Sequence, residues 1–191
     1  TAMRACEGID IAFHEAAIPS VPKSVSDPIV TQKSGEMGTL CLLNACHKKG
    51  VRRVVYACSS SVYGDSLALP KVETMYPNPK SPYAVSKLSG EFYMRAFAFC
   101  YEIDTISLRY FNIFGPRQDP KSPYSAAIVS FVSRMISGKP PIIYGDGEQT
   151  RDFTHIENVV NANILAMKST RKFNGFVCNI GTGRKVSINE L

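Results

Sequence analysis

The 191-residue sequence has no apolar run of membrane-spanning length, and its opening, Thr1-Ala-Met-Arg-Ala-Cys-Glu7, has no secretory hydrophobic region. Both absences make a cytoplasmic protein without a membrane partner the default expectation. Six cysteines are present, Cys6, Cys41, Cys46, Cys58, Cys100 and Cys178, but no Cys-x-x-Cys pair. Most fall inside apolar runs, so they are expected to be reduced core residues rather than bridges or metal ligands. The three histidines, His14, His47 and His155, are scattered, and no metal site is expected. Basic blocks are missing as well. The net charge of +6 is dispersed along the chain, which suits a phosphorylated small molecule better than nucleic acid.

What is present is ordinary for a globular domain: 45% apolar and 20% charged residues, in a chain long enough to bury a core. The stretch 59–87 organises the rest. Val51-Arg-Arg-Val-Val-Tyr-Ala-Cys58 has the length and β-branched content of a buried strand, and it runs into Ser59-Ser-Ser-Val-Tyr-Gly64. After a polar, proline-bearing loop, Pro82-Tyr-Ala-Val-Ser-Lys87 opens an amphipathic helix predicted over 82–101, with Phe92, Met94, Phe97, Phe99 and Cys100 as its apolar surface. Tyr83 and Lys87, at i and i+4, lie on one face of it. A phenol and an ammonium side by side, with Ser59 at a strand end, suit proton transfer to and from a sugar or alcohol hydroxyl, the ammonium drawing the phenol pKa down. The same spacing also arises on solvated helix faces, and a serine run also stabilises turns.

These residues resemble a known group. Tyr83-x-x-x-Lys87 with Ser59, Val62-Tyr-Gly64, Leu108-Arg-Tyr-Phe-Asn-Ile-Phe-Gly-Pro-Arg117 and Gly145-Asp-Gly-Glu-Gln-Thr-Arg-Asp-Phe153 resemble the extended short-chain dehydrogenase/reductase superfamily. Within it, the likeness is to the NAD-dependent nucleotide-sugar 4-epimerases of UDP-hexoses and UDP-N-acetylhexosamines. It runs from about Ile9 to Gly183. The resemblance implies an α/β fold: a partial Rossmann-like, doubly wound parallel sheet over 1–114, then part of a small substrate-binding domain over 115–191, with some elements returning to the first domain. It implies NAD as cofactor, a UDP-sugar as substrate, and a homodimer of the intact enzyme through helices near 27–49 and 82–101.

The resemblance also distributes roles. Ser59, Tyr83 and Lys87 are the expected catalytic set. Ala16, Ala17, Tyr83, Lys87 and Tyr110 are expected at the NAD site, and Ser20, Ser60, Ser61, Asn112, Ala126, Ala127 and Arg151 at the UDP-sugar. Plainer readings stand beside these: tight packing for Ala16 and Ala17, a turn residue for Asn112, a surface ion pair with Asp152 or Glu148 for Arg151. Related 4,6-dehydratases carry an Asp-Glu pair where Ser60 and Ser61 stand here, which argues against dehydration. Gln118 and Ala126 resemble epimerases that accept N-acetylated sugars. A UDP-glucuronate epimerase or decarboxylase is the enzymatic alternative, with Lys23 and Arg117 as candidate carboxylate partners.

Gly35 and Pro19 depart from the pattern, at a cofactor-proximal and a substrate-loop position respectively. No glycine-rich strand-turn-helix precedes Ile9, and Gly145-x-Gly147 and Gly181-x-Gly183 do not supply one. A fragment of a longer enzyme, inactive or an interaction module by itself, is therefore the expectation for the isolated chain. Ser187-x-x-Glu190 reads as a capping box. The remaining predicted elements are strands at 9–14, 105–111, 141–144 and 175–180, helices at 28–49, 124–137 and 156–167, and a loop at 20–24.

Overall fold

A computed structural model describes residues 1–119 and 127–191. The chain divides into two compact units, residues 1–110 with 163–179, and residues 111–162 with 180–191.

The first unit is built on a sheet of order β1-β2-β3-β7, from β1 (Ile11–His14), β2 (Arg53–Ser59), β3 (Asp104–Tyr110) and β7 (Phe176–Ile180). The strands β1, β2 and β3 run parallel, with Ile11 opposite Arg53 and Arg53 opposite Asp104. Both β2 and β3 are buried almost throughout, the condition for near-continuous apolar strands. Their charged exceptions are paired. Arg53 donates from Nε to Asp104 Oδ2 at 2.7 Å, and its Nη1 and Nη2 reach the carbonyls of Ala166, Met167, Ser169 and Arg171. Those carbonyls lie at and beyond the C-terminus of α7 (Ile156–Lys168), where a helix leaves acceptors unmet. Asp104 Oδ1 in turn accepts from the amides of Phe173 and Asn174.

Short helices α1 (Ala2–Ala5), α2 (Val21–Ser26) and α3 (Pro28–Gln32) precede α4 (Gly38–Lys49), which ends on Gly50 in the left-handed conformation. The predicted loop at 20–24 is instead the start of α2. Ser20 caps it by accepting from Lys23 N at 3.0 Å, and Pro22, which has no amide to lose in a first turn, fits there. Between α3 and α4 the helix widens into a π-turn at Lys33–Met37. There Gly35 meets α5 (Pro82–Tyr101) so closely that a Cβ would lie 2.9 Å from the Ser86 side chain.

Helix α5 starts where the sequence places it, because Ser81 Oγ accepts from Ala84 N and Pro82 occupies the first turn. Its apolar residues do not share one environment: Met94 and Phe97 are buried, whereas Phe92 and Phe99 are 50% and 89% exposed and Cys100 is exposed. All six cysteines are reduced, but only Cys6, Cys46 and Cys58 are core residues. Cys41 and Cys100 are exposed and Cys178 is half-buried.

In the second unit β4 (Asn112–Phe114) pairs in parallel with β6 (Phe153–His155), and β5 (Thr150–Arg151) runs antiparallel to β8 (Val186–Ser187). Helix α6 spans Ala127–Ile136. The strand expected at 141–144 does not form. Pro140 and Pro141 remove two ladder donors, and Ile142, Ile143 and Tyr144 are exposed. The predicted capping box does form, with Ser187 N donating to Glu190 Oε2 and Glu190 N to Ser187 Oγ. Among the described residues no helix is long and apolar enough to cross a membrane, and no cluster of three or more metal-ligating side chains occurs.

Candidate active site

Strand β2 ends on Ser59, at the carboxyl edge of the parallel strands, where ligands bind in open α/β sheets. Ser59 Oγ accepts from Ser61 N at 3.2 Å and so caps a 3-10 turn, Ser60–Tyr63. The turn closes on Gly64, whose φ of +64° and ψ of −140° suit glycine alone, and a Cβ there would meet Asn78 O at 2.1 Å. The sequence after that turn is thereby held, with Asn78 N donating to Val62 O.

Opposite this turn stands the start of α5. Gly90 lets it press against β2: a Cβ at Gly90 would overlap the Tyr56 hydroxyl at 2.2 Å, and that hydroxyl donates to the Lys87 carbonyl. Lys87 is consequently buried, 5% exposed, with Nζ donating to Ala57 O at 2.7 Å. An ammonium has three donors, so this bond leaves donors for a ligand. Nζ lies 5.2 Å from the Tyr56 ring centre and 6.0 Å from that of Tyr83.

Ser59 is the neighbouring hydroxyl whose interaction with the Tyr83 phenol favours its ionised form. Burial raises the Tyr83 pKa, and the Ser59 hydroxyl opposes that rise. The expected depression of the phenol by Lys87 is therefore corrected: the ammonium is turned to the Ala57 carbonyl, and the group that favours the phenolate is Ser59. Lys87 itself is lowered by burial, an effect offset by Cys58 and Glu15.

Around Lys87 stand groups that sequence reading did not single out. His14, at the end of β1, bonds Thr39 Oγ1 at 2.8 Å, and burial, with the Lys87 charge second, lowers its pKa to about 4. It is neutral at pH 7. Glu15 follows it, its pKa raised by burial against the hydrogen bond from Tyr110 and the Lys87 charge. Tyr110 OH donates to Glu15 Oε1 at 3.0 Å and accepts from Asn163 Nδ2 at 2.7 Å. Adjacency to Ala16 was the only sequence signal for Glu15.

The other expected positions distribute as follows. Ala16 is exposed and Ala17 half-buried just past β1. Ser60 and Ser61 are half-buried in the 3-10 turn, and Ser61 Oγ is buried without a hydrogen-bond partner among the described residues. Ser20 is buried, with its hydroxyl used in capping. Asn112, Ala127 and Arg151 belong to the second unit. Asn112 Nδ2 donates to Asp152 O at 3.2 Å, and Ala127 is the first residue of α6. Arg151 is exposed, donates to the Thr150 carbonyl, and makes no ion pair among the described residues. Asp152, its suggested partner, instead accepts from Thr182 N, Thr182 Oγ1 and Gly183 N. Ala126 lies outside the described residues.

A half-buried phenol and hydroxyl beside a buried ammonium, at a sheet's carboxyl edge, are equipped to move a proton at an alcohol, and comparison with known proteins gives that chemistry a setting. Residues 2–181 match the NAD dependent epimerase/dehydratase family. The UDP-glucose 4-epimerase of Mycolicibacterium smegmatis is 37% identical over 183 residues, covering 95% of this chain and 58% of the relative. Among solved structures, the UDP-N-acetylglucosamine 4-epimerase of Methanobrevibacter ruminantium, in complex with UDP-N-acetylmuramic acid, superimposes with a TM-score of 0.94. It is 40% identical, over 98% of this chain and 60% of that one. The UDP-glucuronic acid 4-epimerase of Bacillus cereus, bound to UDP-glucuronic acid and NAD, gives 0.90 at 35% identity, over 99% of this chain and 59% of that one. The chain thus spans about three fifths of the length of these relatives. It belongs to the NAD dependent epimerase/dehydratase family.

Proposed function

We propose that the full-length protein epimerises carbon 4 of a UDP-hexose or UDP-N-acetylhexosamine through a 4-keto intermediate. The neighbouring hydroxyls of Ser59 and Tyr83, with Lys87 one turn along α5, carry this reading. Tyr83 takes the proton from the sugar's 4-hydroxyl as carbon 4 is oxidised, and returns one when the ketone is reduced from its other face. Ser59 shares that proton's hydrogen bond and stabilises the phenolate. Lys87, anchored by the Ala57 carbonyl, offers its remaining donors to the nicotinamide ribose hydroxyls. Exposed Ala16, half-buried Ala17 and the Glu15–Tyr110 pair fit the wall of that site, because small side chains admit a ring and the Lys87 ammonium needs a nearby carboxylate. NAD, when bound, takes and returns the carbon 4 hydride and brings positive charge that favours a phenolate nearby. Ser61 Oγ, buried and unpartnered, is suited to a sugar hydroxyl, and serines at 60 and 61 supply no acid to expel water. Asn112 and exposed Arg151 are assigned to the diphosphate, which a guanidinium binds bidentately.

The test is a substrate panel on the full-length protein. UDP-glucose and UDP-galactose, or their N-acetylated counterparts, should interconvert without net NADH. Activity confined to UDP-glucuronate would transfer the reading to the uronate alternative, and no epimerisation at all would remove it.

We also infer a homodimer. Ile29, Val30, Val85, Phe92 and Phe99 are each at least 40% exposed on α3 and α5, an apolar surface that helix pairing between two copies would bury. Sedimentation of the full-length protein should give twice the chain mass, and a monomer at micromolar concentration would count against the inference.

A further inference from the structure

Two segments carry the reactive hydroxyls of the proposed site, the 3-10 turn after β2 and the start of α5. Beneath both runs a buried polar chain that the proposed chemistry does not use. Glu91, one turn past Lys87 and 1% exposed, receives Arg109 Nε at 2.8 Å and Nη2 at 2.7 Å in a bidentate pair. Arg109 Nη1 donates to the Tyr63 hydroxyl at 2.8 Å, and the guanidinium lies 4.8 Å from the Tyr63 ring centre. Tyr63 donates to Asn179 Oδ1 at 2.6 Å. Asn179 is held in its turn by Glu73 Oε1 on its backbone amide and by the Lys71 carbonyl on Nδ2.

Burying this ion pair is no argument for stability, since apolar residues of like volume commonly do as well. What a bidentate guanidinium–carboxylate pair supplies is direction, with five donors in a rigid plane. Here that plane ties α5, through Glu91, to β3, through Arg109, and to the 3-10 turn, through Tyr63. The turn has little slack: Ser59 caps one end and Gly64 abuts Asn78 at the other.

We propose that Glu91, Arg109, Tyr63 and Asn179 form a clamp that sets the position of Ser59 against Tyr83, making all four positioning residues. The proposal rests on the functional reading above for what the Ser59–Tyr83 pair does. Releasing Tyr63 frees the turn that Ser59 begins, and Tyr83 then loses the neighbouring hydroxyl that opposes the effect of burial. The charged and titratable groups facing Tyr83 are Cys58 and Tyr56 on β2 and Lys87 on α5 itself, and Tyr63→Phe alters none of them directly.

The test is titration of Tyr83 in the 191-residue chain by NMR of tyrosines labelled at Cζ, with the Tyr83 resonance identified by its loss in Tyr83→Phe. Ser59→Ala should move the Tyr83 midpoint up by about half a pH unit or more, and Tyr63→Phe should move it the same way. The double variant should move it no further than Ser59→Ala alone, because both changes cut one pathway. A Tyr83 midpoint that shifts in Ser59→Ala but stays in Tyr63→Phe overturns the clamp and leaves the functional reading standing. An unmoved midpoint in Ser59→Ala overturns both. If Tyr63→Phe does not fold, Asn179→Ala, which cuts the outer link, is judged by the same outcomes.

Discussion

Tyr83→Phe in the full-length protein is expected to lower kcat on its UDP-sugar by about 10²–10⁴-fold, the usual worth of a positioned acid–base group. The change removes one oxygen. Tyr83 is half-buried, its ring stays, and the polar partner it loses is Ser59, so unfolding free energy should move by no more than about 1 kcal/mol. KM should change little, because the hydroxyl works in the transition state more than in binding. Steady-state rates beside a urea melt give the answer. A variant within threefold of the parent would mean that another group moves the proton, and His14 is a poor substitute: it is neutral at pH 7 and engaged with Thr39.

The largest stability effect is expected far from that chemistry. Asp104→Ala should destabilise the chain by about 3–5 kcal/mol, because it strands the Arg53 charge in the core and removes the acceptor of the Phe173 and Asn174 amides. That loss is a large part of the roughly 5–15 kcal/mol of a typical domain. The pair itself is not the source of stability, so replacing both partners with apolar residues, Arg53→Met with Asp104→Leu, should recover part of the loss. Recovery is incomplete because Arg53 also satisfies four carbonyls at the end of α7. Equilibrium urea unfolding of the three proteins checks both signs, and a single-variant loss under about 1 kcal/mol would contradict the account.

Local rules made much of the fold legible. Ser81-Pro82 marks the start of α5, and Gly50 the end of α4, because caps depend on residues a few places apart. The buried parallel strands were visible as apolar runs. Two segments differ from expectation. Residues 20–24 were expected as a loop but begin a helix, whose first turn tolerates Pro22, and Pro141-Ile-Ile-Tyr144 was expected as a strand but forms none. In the site, the i and i+4 spacing put Tyr83 and Lys87 together, yet it could not say that Lys87 would be drawn to the Ala57 carbonyl and Ser59 to the phenol.

By itself the sequence determined which side chains were available, which segments become helices and strands, and which positions can reach one another along a single element. These follow from propensity, capping and periodicity, all short in range. Only the tertiary structure decided the electrostatics: that burial lifts the Tyr83 phenol, that Glu15 and His14 stand near Lys87, and that Arg53, Asp104, Glu91 and Arg109 are paired rather than solvated. Those outcomes depend on desolvation and on partners separated by 18 to 51 positions for the two ion pairs, and no local pattern encodes either.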